Sequence, residues 1–570
     1  MIFEEYSKWL NNATADPDLI SELQGIKGNE AEISDRFYKS LEFGTAGLRG
    51  IIGAGTNRMN IYTVGAASQG LAEYVNSINK NGKVAIAYDS RIKSDLFAKH
   101  AASVFAANGV TVYLYPELAP TPMLSFAVRY LKCDAGAVLT ASHNPSKYNG
   151  YKAYGPDGCQ LGLEASEYVL SIIEKVDIFK DVKTCDFDKA VEEGKIILIG
   201  EDVVNAYLDA VQKQSVADST YDFGSMKVIY TPLHGAGNKP VRAILDRIGV
   251  KNVVVVPEQE LPDGNFPTAP YPNPEIRQAF ECALKLAEKE NPDLLLATDP
   301  DSDRVGIAVK HNGEFRLMSG NDVGALLLNY LLERKTALGT LPKNPVAVKT
   351  IVSTNLVNAI AADYGCELKE VLTGFKFIGE QVLLLEQKNE EERFIFGFEE
   401  SYGYLAGGYV RDKDAVVGSM LICEMCCYYK SKGMTLIEVL DSLYNKYGYF
   451  YSCQRSITCE GQDGMEKMAN AMKNLRENPP KDIAGFKTLN VLDYSTSVNT
   501  ELSSGNTEEI KLPKSNVLSY RLEGGAGAIV RPSGTEPKIK IYISSIGDDL
   551  DGAIATAKTI GDDVQKSLNL

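Results

Sequence analysis

Basic residues are in deficit, histidine is scarce and long apolar runs are missing. Lys and Arg number 59 against 75 Asp and Glu, a formal net charge of −16. That deficit argues against nucleic acid as the main partner, because binding a phosphate backbone wants a basic surface. It leaves room for a small anionic ligand, since a few convergent Arg and Lys residues make a locally positive cleft in an acidic protein. No uninterrupted apolar run approaches the roughly 18 residues of a membrane span. The opening MIFEEYSKWL is acidic and has neither a basic stretch nor an apolar core, so no secretory signal is expected and a cytoplasmic enzyme fits. The four histidines are His100, His143, His234 and His311. His100 falls in a helical pattern and reads as structural. No Gly-Lys is followed by Ser or Thr, which excludes a P-loop. The ten cysteines are scattered. Cys423 and Cys426 have CxxC spacing, but no second CxxC exists and the stretch LICEMCCYYK reads as an apolar helix, so buried helix contacts are expected rather than zinc or redox chemistry.

What is present is an alternation. The 570 residues, 44% hydrophobic and 24% charged, suit a soluble globular chain of several domains. A chain this long buries enough core to need no disulfide staples. KVAIAYDS reads as a strand and SDLFAKHAASVFAANG as a helix; VTVYLY, a helical run from about Thr121 and AGAVLT follow. The alternation restarts at MKVIYT, NVVVVP and DLLLAT, and again at NPVAVKTIV, CELKEVLT and RFIFGF. After KYGYFYSCQRSIT the apolar runs shorten, residues 478–515 become polar, and DGAIATAKTIGDDVQKSL closes the chain as a helix. The expected fold class is α/β: three similar α/β domains with mixed sheets and a smaller C-terminal α+β domain, around a central cleft. The expected domains are 1–205, 206–320, 321–450 and 451–570.

Four polar loops each follow a short apolar strand: AVLT leads into ASHNP, LLLAT into DPDSDR, FIFGF into EESYG and GAIV into RPSGTEP. Their markers, Ser142, Asp299, Glu399 and Ser533, stand roughly 100 to 160 residues apart, a domain's length. Loops at the carboxyl ends of strands are where open α/β sheets hold ligands, so the economical expectation is convergence on one cleft.

In DPDSDR, Asp299, Asp301 and Asp303 alternate and in an extended segment point the same way. Three carboxylates on one side repel unless a cation sits there, and hard oxygen ligands select Mg²⁺, Mn²⁺ or Ca²⁺. An EF-hand is excluded, because its Gly and Glu positions hold Arg304 and Lys310. Three ligands leave room for a phosphate oxygen, which suits Mg²⁺ in phosphoryl transfer. RPSGTEPK sets Arg531, Ser533, Thr535 and Lys538 around Gly534, the composition of either a phosphate cradle or an ordinary turn. FEESYG offers Glu399, Glu400 and Ser401 as acid/base groups, as acceptors of sugar hydroxyls or as a surface turn. TASHNPSKYNG, Thr140 to Gly150, carries Ser142 without a GxSxG elbow. A serine sharing a cleft with Mg²⁺ and a phosphate site reads as a phosphoryl acceptor and donor. Lys152 and His143 are then candidates for proton transfer or phosphate contact.

Taken together the loops resemble those of the α-D-phosphohexomutases, the phosphoglucomutase and phosphomannomutase superfamily. TASHNP is similar to its phosphoserine loop, DPDSDR to its metal loop, GFEES to its sugar loop and RPSGTEPK to its phosphate loop, in the same order from about Glu42 to Tyr542. EFGTAGLRG, AYDSR, TPLHGAG and TGFKFIG resemble the longer branch, which holds phosphoglucomutase and its phosphopentomutase and sugar-bisphosphate synthase relatives. The resemblance implies that Ser142 carries the phosphoryl group and that Asp299, Asp301 and Asp303, with a phosphoserine oxygen, hold Mg²⁺. It implies that Glu399 and Ser401 hold sugar hydroxyls and that Arg531, Ser533, Gly534 and Thr535 hold the other phosphate. Arg49, Arg304, Lys152 and Lys413 would face the transferring phosphate or move a proton, with His143 in support. Thr373 and Gly374 would help distinguish two orientations of the sugar. It further implies interconversion of hexose 1- and 6-phosphates, glucose before mannose or pentose, through glucose 1,6-bisphosphate, by a monomer or small homo-oligomer.

Overall fold

The computed structural model describes residues 2–44, 47–459, 464–533 and 538–568. They form two compact units. The first comprises Met1–Ser319, Ile378–Gly397 and Ser401–Gly433; the second comprises Gly320–Phe377, Phe398–Glu400 and Met434–Leu570.

The first unit contains two mixed sheets. One has six strands in the order β1 (Gly47–Ile51), β5 (Tyr148–Tyr154), β4 (Ala135–Leu139), β2 (Lys83–Tyr88), β3 (Thr111–Leu114) and β6 (Ile196–Leu198). β2 pairs in parallel with both β3 and β4, whereas β5 runs antiparallel to β4 and β1. Every residue of β4 is buried, as expected of a parallel strand covered on both faces. The second sheet runs β11 (Glu314–Leu317), β10 (Val305–His311), β9 (Leu294–Thr298), β7 (Lys227–Thr231) and β8 (Asn252–Val255). β7, β8 and β9 are parallel, and β10 turns back antiparallel to β9.

Helices between the strands begin where the sequence supplies a cap. Asn60 and Thr63 form a reciprocal capping box on the helix Ile61–Ile78, and Asp414 accepts from Val416 and Val417 at the head of Ala415–Ser431. The latter helix carries Cys423, Cys426 and Cys427, the first and last of them buried. Burial pushes the Cys426 thiol up to about 12 and that of Cys427 up to about 11. These are inert thiols, as the apolar pattern implied. His100 lies in the helix Ser94–Ala107, as expected.

Three helices precede the first sheet: Ile2–Asn12, Pro17–Gly25 and Glu30–Phe37. They join the same core. Trp9 is fully buried and meets Phe37, Tyr62 and Phe179 edge to face.

In the second unit β12 (Val346–Thr350) pairs in parallel with β13 (Glu367–Val371). The C-terminal part is a sheet of antiparallel strands in the order β16 (Tyr449–Thr458), β23 (Lys538–Gly547), β22 (Gly527–Pro532), β21 (Leu518–Leu522), β18 (Phe486–Asp493), β19 (Val498–Glu501) and β20 (Thr507–Glu509), with β17 (Asp482–Ile483) pairing β18. The closing helix Leu550–Ser567 covers one face through Ala557, Ile560 and Val564. The architecture is α/β, with three α/β regions followed by a sheet-rich C-terminal region.

Candidate active site

Ser142 stands three residues beyond the end of β4, and Asp299 directly follows β9, so both lie at carboxyl ends of parallel strands. They meet: Ser142 Oγ donates to Asp299 Oδ2 at 2.9 Å. Ser142 is buried and adopts a left-handed φ of 53°, uncommon for a residue with a side chain. The loop reaches this conformation through its neighbours. The Ser142 N–H donates to Thr140 Oγ1 at 2.8 Å, and its carbonyl accepts from Arg91 Nη2 at 2.5 Å.

The three aspartates converge, although not as an extended strand would present them. The segment is a tight turn in which Ser302 N–H bonds back to the Asp299 carbonyl and Ser302 takes a φ of 50°. Asp299 Oδ1 accepts the backbone N–H groups of Asp303 and Arg304, at 3.1 and 3.0 Å, which folds the loop around its own first carboxylate. Ligand oxygens of Asp299, Asp301 and Asp303 lie within 4.8 Å of one another, and all three residues are buried. Gly235 and Gly237, in the TPLHGAG turn after β7, support this loop from below. A Cβ on Gly235 would fall 2.5 Å from Pro300 Cα, and Ala236 N–H donates to the Pro300 carbonyl.

Two lysines reach the carboxylates. Lys152, on β5, lies 2.7 Å from Asp301 Oδ2 and 3.4 Å from Asp303 Oδ2; Lys413 lies 3.1 Å from Asp303 Oδ2. Thr121 Oγ1 also donates to Asp301 Oδ2, at 2.8 Å. Burial pushes the Asp299 carboxyl well up, reinforced by Asp301 and Asp303. Burial acts on Asp301 too, but the Lys152 ammonium and the Thr121 hydroxyl outweigh it and hold its carboxyl low. For Asp303, burial and Asp301 are outweighed by Lys413, Lys152 and Arg304.

Asp301 Oδ1 and Asp303 Oδ1 are buried without a hydrogen-bond donor. Arg304 Nε lies 3.7 Å from Asp303 Oδ1, too far for a hydrogen bond, so both oxygens lack a donor and a cation would satisfy them. The donor set is all oxygen and fits a hard divalent ion.

His143 is half-buried, with Nδ1 3.1 Å from Ser142 Oγ. Burial of the ring, then the charges of Arg304 and Arg49, hold its pKa well below the ordinary value, so the imidazole is neutral. Arg49 lies exposed on β1, which pairs with the strand of Lys152. Arg304 is half-buried and bonds Glu275 at 2.7 Å. The Lys413 loop is fixed by Tyr154, which donates to Asp412 at 2.7 Å, and by Tyr207, which donates to Asp414 at 2.9 Å.

The second unit brings together a different set. Glu399, at the end of β14 (Phe394–Glu399), is buried and accepts the Gly374 N–H at 2.8 Å. Gly374 has a φ of +123°, which an L side chain rarely adopts. Thr373 precedes it, half-buried, and Glu400 accepts from Thr350 Oγ1 at 3.3 Å. Arg531 lies on β22, and the Ser533 N–H closes the hairpin onto the Lys538 carbonyl at 2.8 Å. Tyr542 sits beside this group: burial, then Glu400, raise its pKa, while Arg531 opposes them. Gly534 and Thr535 lie outside the described residues. Ser401 is half-buried in the turn after Glu400, within the first unit.

Sequence reasoning missed Asp89, Arg91, Thr121, Glu275 and Tyr542. AYDSR and TPLHGAG were visible as stretches without roles, and nothing local to Thr121 or Tyr542 marks them.

The chain matches the family models of phosphoglucomutase/phosphomannomutase α/β/α domains I, II and III over residues 40–178, 205–313 and 319–447. It is 37% identical over 523 residues to the phosphoglucomutase of Staphylococcus saprophyticus, covering 92% of this chain and 93% of that one. It is 39% identical over 515 residues to the phosphoglucomutase of Staphylococcus aureus strain RF122, covering 90% and 91%. Among solved structures, a phosphoglucomutase/phosphomannomutase family protein from Burkholderia thailandensis aligns with a TM-score of 0.65 at 16% identity, over 92% of this chain and 96% of that one. The open form of parafusin from Paramecium aligns with a TM-score of 0.67 at 16% identity, over 93% and 96%. With three consecutive domain matches and relatives this similar along nine-tenths of its length, the chain belongs to the phosphoglucomutase/phosphomannomutase family.

Proposed function

We propose that the chain is an intramolecular phosphotransferase that interconverts α-D-glucose 1-phosphate and glucose 6-phosphate through phospho-Ser142 and glucose 1,6-bisphosphate. The observation that carries this reading is the hydrogen bond from Ser142 Oγ to Asp299 within a buried carboxylate triad that leaves two oxygens without a hydrogen-bond donor.

The phosphoryl group passes from Ser142 Oγ to the free hydroxyl of the hexose monophosphate. A P–O bond to the sugar forms as the bond to Ser142 breaks; the sugar hydroxyl proton leaves to a basic group, and the released Ser142 oxygen takes up a proton. The bisphosphate reorients, its other phosphoryl group returns to Ser142, and the isomeric monophosphate departs. Asp299, Asp301 and Asp303 would hold Mg²⁺, which when bound offsets the phosphoserine charge of roughly −1.5 to −2. Lys152, Lys413, Arg304 and Arg49 balance the equatorial oxygens in flight. His143, neutral and 3.1 Å from Ser142 Oγ, orients that oxygen and is a candidate for proton transfer. Glu399, which accepts the Gly374 N–H next to Thr373, suits the sugar hydroxyls, and so does Ser401. Arg531 and Ser533, with Gly534 and Thr535, suit the non-transferring phosphate. Four domains, 1–205, 206–320, 321–450 and 451–570, would each supply one loop. Ten free thiols fit a reducing cytoplasm, and among the described residues no helix is long and apolar enough to cross a membrane.

Glucose 1-phosphate, mannose 1-phosphate and ribose 1-phosphate are assayed side by side with Mg²⁺ and catalytic glucose 1,6-bisphosphate. The glucose ester should turn over fastest. A faster mannose or ribose ester overturns the substrate assignment, and release of inorganic phosphate without isomerisation overturns the mutase.

A further inference from the structure

We propose that Arg91 is a positioning residue for phosphoryl transfer, acting through the turn Asp89–Arg91 to set the backbone on both sides of Ser142. The inference rests on the reading of Ser142 as the phosphoryl carrier. Asp89 and Arg91 follow β2, whose parallel partner β4 leads into the Ser142 loop, with Tyr88 opposite Leu139. Sheet register therefore sets the two loops side by side.

The Arg91 side chain is fully buried, yet it touches no carboxylate of the aspartate triad. Its donors go to the backbone of the Ser142 loop. Nη2 reaches the carbonyls of Ser142 and Asn144 at 2.5 and 2.6 Å, and Nη1 those of Pro145 and Tyr148 at 3.1 and 3.0 Å. Asp89 completes the grip from the other side. Its Oδ2 accepts Thr140 Oγ1 at 2.7 Å, and that hydroxyl oxygen in turn accepts the Ser142 N–H at 2.8 Å. The Asp89 carboxylate also lies 3.3 Å from Arg91 Nε. Ser142 is thus held at its N–H and at its C=O by one turn, and a φ of 53° is what that hold imposes.

An unconstrained serine would leave this conformation, which is unfavourable for a residue with a side chain. Leaving it swings Oγ away from Asp299. A planar guanidinium bonds four carbonyls at fixed angles; a lysine ammonium has three donors on a flexible stem and cannot. A buried cation that spends both of its Nη groups on loop carbonyls, with Asp89 as its neighbouring carboxylate, is a direct way to fix a loop.

The test uses Arg91→Met, Arg91→Lys and Thr140→Val in the full chain with Mg²⁺, measuring kcat and KM for glucose 1-phosphate, phosphate bound at Ser142 by mass spectrometry, and Tm. Displacing a reacting atom by about 1 Å costs about 10²-fold, so Arg91→Met should lower kcat by that order while KM moves less than about threefold. Arg91→Lys should recover only part of the rate. Thr140→Val, which releases the N–H side alone, should lower kcat about tenfold with KM unchanged. A folded Arg91→Met enzyme with wild-type kcat overturns the proposal. If that variant does not fold, wild-type kcat in Thr140→Val overturns it. A wild-type protein that neither isomerises nor carries phosphate on Ser142 defeats the functional reading itself; active wild type with equally active variants defeats only the positioning role.

Discussion

Lys152 Nζ lies 2.7 Å from Asp301 Oδ2, so an ammonium group occupies one edge of the carboxylate cluster proposed to bind a divalent cation. Ammonium and metal draw on the same negative charge. Lys152→Met should lower the stability of metal-free protein by about 3 kcal/mol, because one partner of a buried pair is lost. Added Mg²⁺ should then raise Tm by more than it does in wild type. Thermal melts with and without Mg²⁺ check this, and an equal Mg²⁺ effect in both proteins would refute competition between Lys152 and the metal.

Ser142→Ala removes the proposed phosphoryl carrier and one hydrogen bond to Asp299. Turnover should fall by at least about 10⁴-fold, while circular dichroism and Tm stay close to wild type. Substantial isomerisation by a clean Ser142→Ala preparation would end the phosphoserine mechanism.

Gly374 donates its N–H to Glu399 from a backbone conformation with φ of +123°. Gly374→Ala has ample room for a methyl group, whose nearest neighbour would be the Phe377 ring at 3.8 Å, so its penalty is conformational. A cost above about 1 kcal/mol is expected, together with a raised KM as Glu399 loses its fixed partner. Urea titration and Michaelis kinetics test the two parts separately.

His100 predicts an acid limb in stability. Burial lowers its pKa from the ordinary 6.5 to about 4. In that window the unfolded chain binds a proton that the folded chain does not, so stability rises with pH. Its contribution is complete above pH 6.5 and is lost as pH falls toward about 4. His100→Gln should flatten the Tm profile across that interval, and an unchanged slope would remove His100 as a cause.

The α/β alternation was legible because buried parallel strands read as continuous apolar runs, as AGAVL does at β4. The carboxylate cluster was legible because three aspartates in five residues are hard to explain without a cation. Its geometry was not: alternation suggested an extended segment, whereas the backbone N–H groups of Asp303 and Arg304 bend the loop onto Asp299. The neutrality of His143 was equally hidden, since it depends first on burial of the ring and then on Arg304 and Arg49, which are distant in sequence. Arg91 looked like part of a motif, and only the register of β2 against β4 reveals which loop it grips. The three N-terminal helices carry no chemical motif, and nothing in their sequence announces where they attach.

Those helices draw a distinction between ancestry and foldability. The match to the first family-domain model begins at residue 40, within the linker that leads to β1. The hydrophobic core respects no such line. Trp9 is fully buried there, edge to face with Phe37, Tyr62 and Phe179; Tyr62 lies within the matched domain and Phe179 falls one residue beyond it. Trimming the chain to start at residue 40 would take Trp9 away from the Tyr62 and Phe179 rings and open that side of the core to water. The boundary of the family-domain match is therefore not a boundary of the hydrophobic core.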